Sequence, residues 1–118
     1  MFENCTSLVN APTIAATTTA GQSHYGMFMG CTSLVNGPVL PATSVETNAY
    51  TSMFSGCTSL ASITCLSETE IGSGKSTDWL SGVAPTGTIT VSATATWADS
   101  IARGADTIPS GWTVVHLT

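Results

Sequence analysis

Positive charge is almost missing from this chain. Lys75 and Arg103 are its only lysine and arginine in 118 residues. Nucleic-acid binding draws on clustered Lys and Arg that release counterions, so two isolated cations exclude it. Charged residues of either sign amount to 8%, beside 42% hydrophobic residues. That balance fits neither a disordered acidic tail nor a typical enzyme surface. Long apolar runs are also missing, so no stretch reaches membrane-spanning length. No secretory signal is visible in this segment. Histidine is scarce as well: His24 and His116 stand at unrelated positions, and the seven acids are scattered. Catalysis needs a nucleophile beside a base, and no such pairing is legible, so the expectation is no catalytic residue and no enzyme.

What the chain has instead is a repeated phrase. MFENCTSLVNAP starts at Met1, MFMGCTSLVNGP at Met27 and MFSGCTSLAS at Met53, spaced by 26 residues each time. A fixed period in the twenties predicts a solenoid. Large residues repeated at a fixed period are expected to stack inward, each coil burying its own against the next. That set is Met1, Met27 and Met53; Phe2, Phe28 and Phe54; Leu8, Leu34 and Leu60. Because Met1 already lies inside a copy, the chain is expected to begin mid-array, with an open N-terminal edge.

Asn4, Gly30 and Gly56 precede the repeated Cys. Gly and Asn tolerate positive φ and end helices, so a short helix is expected over roughly 48–55, and at its equivalents. Pro12, Pro38 and Pro41 keep the return path non-helical.

Counting on by 26 from Met53 gives Trp79, and from Gly56 gives Gly82. Residues 67–118 thus read as a degenerate fourth repeat with capping strands, continuous with three repeats over 1–66. The same count sets Val39, Cys65, Val91 and Leu117 in register, and likewise Ile63, Ile89 and Val115. Parallel strands are expected there, about 4.8 Å apart. Residues 88–97 alternate Thr or Ser with Ile, Val, Ala and Trp, the period of a half-buried strand. Pro109-Ser110-Gly111 suits a turn into a last strand, 112–117. An antiparallel hairpin between the last two strands remains open. Trp79, Trp97 and Trp112 supply an aromatic cap.

The phrase MF-x-G-C-T-S-L, the Pro41-Ala42-Thr43 stretch, Tyr50 three residues before Met53, and the ending WLSGVAPTGT…IPSGWTV together resemble BspA-like leucine-rich-repeat surface proteins. Family repeats often place Cys before the Tyr, where Ala49 and Ser23 stand here, and His24 replaces one Tyr. The resemblance spans essentially the whole chain. It implies a mainly β fold with short helices: a right-handed, leucine-rich-repeat-like solenoid of about four coils. It also implies a bacterial, extracellular or cell-surface location and a non-enzymatic adhesion role towards a protein or glycan ligand. The alternatives are a glycan-binding module, or a structural subunit that self-associates through its N-terminal edge.

Other motifs carry less. Ser73-Gly74-Lys75-Ser76 mimics a phosphate-binding loop, but Thr69 stands where its first glycine belongs. The four cysteines, Cys5, Cys31, Cys57 and Cys65, are spaced by 26, 26 and 8 with no CxxC pair. No metal site and no cofactor are expected from them. Buried free thiols are the expectation, with Cys57–Cys65 the candidate exception. Asn4-Cys5-Thr6 is formally a glycosylation sequon, but Asn4 reads as a helix stop. Asp99-Ser100-Ile101 and Asp106-Thr107-Ile108 resemble bacterial O-glycosylation sites, at Ser100 and Thr107. Tyr25, Tyr50 or a cap Trp are the aromatic candidates for a sugar. Since the repeated residues read as packing, function is expected where copies differ, as at Glu3/Met29/Ser55 and Thr19/Val45.

Overall fold

A computed structural model describes residues 3–11, 26–42, 49–68, 76–100, 104, 107–111 and 112–117. Among the described residues the fold is mainly β, with one four-stranded sheet and one short helix. The strands are β1 (Asn36–Leu40), β2 (Ser62–Cys65), β3 (Gly87–Val91) and β4 (Trp112–His116); the helix α1 (Trp97–Ser100) precedes β4. Sheet order follows chain order, β1-β2-β3-β4, and every pair is parallel. The antiparallel hairpin for the last two strands is thereby excluded.

The register follows the repeat, with two corrections. β2 and β3 pair at an offset of 26 throughout, from Ser62↔Thr88 to Cys65↔Val91. In β1, Asn36 faces Ser62, but Val39 faces Thr64 and Leu40 faces Cys65. The slip lies between Asn36 and Val39, where Pro38 has no N–H to give the ladder. Val39 therefore does not align with Cys65, and it turns outward. β4 runs at an offset of 25, with Gly87↔Trp112 and Ile89↔Val114. Val115 accordingly faces Thr90 and not Ile89, and the expected Val91–Leu117 pairing becomes Val91↔His116. Gly87 makes room for this: a Cβ there would lie 2.6 Å from the Trp112 ring. A slip of one residue exchanges the two faces of a strand, so these offsets decide what the sheet displays.

The expected helix over 48–55 does not form in the part described, 49–55; the chain makes consecutive turns. An α-helix sends each N–H back four residues. Here alternate residues do something else. Met53 N–H bonds to Tyr50 O at 3.1 Å and Cys57 N–H to Phe54 O at 3.0 Å, as turns. Between them, Phe54 N–H bonds to Trp79 O at 2.9 Å and Gly56 N–H to Ser81 O at 2.8 Å, in the next repeat. Phe28 and Gly30 donate likewise to Met53 O and Ser55 O. The backbone permits this because two columns take positive φ. One is Asn4, Gly30, Gly56 and Gly82 (58° to 79°); the other is Gly26, Ser52 and Asp78 (55° to 59°). Such residues break an α-helix and aim alternate N–H groups at the neighbouring repeat.

The repeated side chains fill the space between turns and sheet. Phe28, Met53, Phe54, Leu34 and Leu60 are fully buried; Leu8 and Met27 are half-buried. Phe28 and Phe54 stack at 5.6 Å with planes 2° apart, and Tyr50 stacks on Trp79 at 5.8 Å. Each of the three tryptophans donates its indole N–H to a carbonyl of another segment. Trp79 reaches Thr107 O (2.7 Å), Trp97 reaches Ser67 O (2.9 Å) and Trp112 reaches Ala84 O (2.9 Å). A buried indole N–H needs such a partner, so these rings fasten the C-terminal segment as well as bury area.

The strand expected from the alternation over 88–97 stops at Val91. Ser92 and Thr94 both donate their hydroxyls to the Glu68 carboxylate, and Ala95 N–H turns back to Ser92 O at 3.1 Å. Thr94 N–H also reaches Ser92 Oγ at 3.5 Å; hydroxyls that bond the nearby backbone compete with the ladder, and here the turn wins.

Candidate functional site

With the register fixed, two rows of side chains form the outward face of the sheet. Asn36, Ser62, Thr88 and Thr113 align across the strands, and so do Val39, Thr64, Thr90 and Val115. No charged residue stands in either row. Val39 is 51% exposed and Val115 43%, at the two sides of the face. The threonines between them are half-buried by their neighbours. Side-chain hydrogen bonds tie the first row together: Asn36 Nδ2 donates to Asn10 Oδ1 (2.9 Å) and Ser62 Oγ to Asn36 Oδ1 (3.3 Å). The result is an uncharged surface of hydroxyls, amides and methyls on a parallel ladder.

At the C-terminal ends of β2, β3 and β4 the face meets a polar cluster that sequence reading missed. Glu68 accepts from Ser92 and Thr94, and those hydroxyl bonds hold its carboxyl below the usual carboxylate range. His116 Nδ1 lies 3.2 Å from Ser92 O, and its Nε2 lies 2.9 and 3.1 Å from the two Asp99 oxygens. The bond to Asp99, then that to Ser92 O, raises the imidazole above its ordinary value. Ser92, His116 and Asp99 share residue types with a hydrolytic triad, but not its geometry. Ser92 meets the histidine through its backbone carbonyl, while its hydroxyl serves Glu68. The hydrogen bond from nucleophile to base is therefore missing. One signal for this cluster was in the sequence: Glu68 and Thr94 are 26 apart. Nothing in the spacing joined His116 to Asp99.

All four cysteines are free thiols, including Cys57 and Cys65. Cys57 Sγ donates to Phe28 O at 3.0 Å, which ties one repeat to the previous one. Burial pushes Cys57 up to about 12 and Cys65 up to about 11, and raises Cys31. Thiols so placed are packing groups and poor nucleophiles. Among the described residues, no three His, Cys, Asp or Glu side chains converge on a metal position. A cleft of about 370 Å³ lies between Leu80–Pro85 and the Pro109–Gly111 turn, and no titratable side chain lines it.

The remaining sequence candidates fare differently. Ser100 ends α1, next to Asp99, which is engaged with His116. Thr107 is half-buried and its carbonyl holds Trp79. Tyr50, Trp79 and Trp112 are buried, which withdraws them as sugar platforms. Glu3, Met29 and Ser55 lie on the stacked turns, away from the sheet face. Tyr25, Thr19, Val45 and residues 73–75 fall outside the described residues.

No helix among the described residues is long and apolar enough to cross a membrane. The chain matches no protein-family model, no curated protein and no solved structure.

Proposed function

We propose that this chain is a non-enzymatic interaction module, with the outward face of its sheet as the binding surface. The observation that carries the reading is the division of labour between positions. Repeated residues are spent on packing and on hydrogen bonds between repeats. The two outward rows vary along the array, one from Asn36 through Ser62 to Thr88 and Thr113, the other with Thr64 and Thr90 between Val39 and Val115.

In this reading the repeats form a right-handed, leucine-rich-repeat-like solenoid of about four coils, and the tryptophan-rich segment closes its C-terminal end. The strands are parallel, and the general rule that crossovers between parallel strands are right-handed supports the handedness; turn-to-turn hydrogen bonds between consecutive repeats support the stack. The resemblance to BspA-like proteins supports a location outside a bacterial cell, with adhesion to a protein as the task. An extended sheet face of hydroxyls and methyls, free of charge, suits a broad protein contact better than a small-molecule pocket. The glycan reading is weaker, because Tyr50, Trp79 and Trp112 are buried, and half-buried Trp97 has its indole N–H engaged by Ser67 O.

The test is a binding screen of the purified chain against extracellular-matrix proteins and intact neighbouring cells, with a glycan array alongside. Saturable binding to a protein is the expected result. Binding confined to glycans, or turnover of a test substrate, would replace the proposal.

A further inference from the structure

We propose that His116 is a proton-operated latch that fastens the end of β4 to α1 and to the end of β3. The argument rests on what the ring faces. In the inward row formed by Leu40, Cys65 and Val91, β4 places His116. Both ring nitrogens then meet acceptors: the Ser92 carbonyl at 3.2 Å from Nδ1, and both Asp99 oxygens at 2.9 and 3.1 Å from Nε2. A carbonyl and a carboxylate cannot donate. A neutral imidazole has one N–H, so one nitrogen would point its lone pair at oxygen. Only the imidazolium satisfies both sides at once.

The surroundings favour that cation. From α1 comes Asp99, and from the end of β3 the Ser92 carbonyl. Behind Ser92, its hydroxyl leads to Glu68, the carboxylate that follows β2. No lysine or arginine lies among the described residues to oppose them. The hydrogen bonds to Asp99 and Ser92 accordingly raise His116 above its ordinary value of 6.5.

What the latch holds is local. The start of β4 is secured by Trp112, through Ala84 O, whatever the pH. The end of β4 is secured by His116, and α1 is pinned on its other side by Trp97 to Ser67 O. Because the folded value is raised, the latch is fully closed below the unfolded value. It opens as pH rises through the folded value. The segment that loosens is the end of β4 with α1, while β2 and β3 stay paired. The latch does not rest on the binding-face reading, and its failure would leave that reading standing.

Proton NMR titration with amide hydrogen exchange tests it. His116 is expected to titrate above 6.5, and Asp99→Asn to bring it back towards that value. After correction for intrinsic exchange, protection of the Leu117 amide, bonded to Val91 O at 2.9 Å, is expected to fall across the His116 titration. Protection at Ile89 is expected to stay constant. His116→Gln, which donates from one nitrogen at every pH, is expected to abolish the pH step at Leu117 while remaining folded. A His116 titration at or below 6.5 would overturn the latch. So would a pH step at Leu117 that survives in both variants, or Leu117 protection that is flat with pH in the unaltered chain.

Discussion

The thiol of Cys57 donates a hydrogen bond to the carbonyl of Phe28 at 3.0 Å, across a repeat boundary. That contact gives one of the recurring cysteines a packing role between repeats, and all four thiols are free. A small, apolar side chain fits the packed interior, and its S–H adds a second hydrogen bond to a carbonyl that already closes a turn with Cys31 N–H at 3.1 Å. Cys57→Ala is expected to lower stability by about 1–2 kcal/mol, from the lost hydrogen bond and a small cavity. Chemical denaturation checks the magnitude. Thiol counting without reductant in denaturant should find four free thiols, and native labelling should reach half-exposed Cys5 first. Fewer than four would contradict the assignment.

The left-handed column offers a sharper comparison. Asn4 holds a φ of 58° in the first described repeat, where Gly56 holds 79° in the third. A side chain with a Cβ costs about 1–2 kcal/mol in this region, and asparagine less than others. Gly56→Ala should therefore destabilise by about that amount, and Gly56→Asn by clearly less. Melting temperatures of the two variants decide it, and equal losses would mean that crowding, not φ, is the constraint.

Phe54 lies at the centre of the aromatic stack, parallel to Phe28 and 6.1 Å from Trp79. Replacing it with alanine is expected to cost about 3–5 kcal/mol, the range for a large buried aromatic. Phe54→Leu should cost less. A small loss for Phe54→Ala would show that the repeats are not packed against one another.

Acid should act on Glu68. Its folded value is lowered by the Ser92 and Thr94 hydroxyls, so its contribution is present above the unfolded value. That contribution is lost as pH falls through the folded value. Carboxyl NMR titration should place Glu68 below the ordinary 4.5, and Ser92→Ala combined with Thr94→Val should return it there. Because Glu68 is exposed, the change in overall stability should be small.

Sequence reading went furthest where one physical constraint repeated without slippage. The period of 26 placed Ile63 beside Ile89, Phe28 beside Phe54, and glycine or asparagine in the left-handed column. It failed where a local event overrode the count. Pro38 removes a ladder donor and shifts Val39 by one residue. The approach of Trp112 to Gly87 shortens the last offset to 25. The helix expected over 48–55 assumed that backbone groups pair within a segment; in the part described they pair alternately with the next repeat, which no single-repeat propensity encodes. The cluster of Glu68, Ser92, Asp99 and His116 was only half legible. Its Glu68–Thr94 side keeps the period, whereas His116 reaches Asp99 by a tertiary approach.

The central claim is that binding resides on the outward sheet face and not on the repeated residues. The most direct measurement compares partner binding by the unaltered chain, by Thr90→Arg in the middle of the face, and by Thr58→Arg on the stacked turns. Thr90→Arg should abolish binding to the partner found in the screen, with melting temperature unchanged, while Thr58→Arg binds as before. Full binding by Thr90→Arg, or equal loss in both variants, would contradict the account.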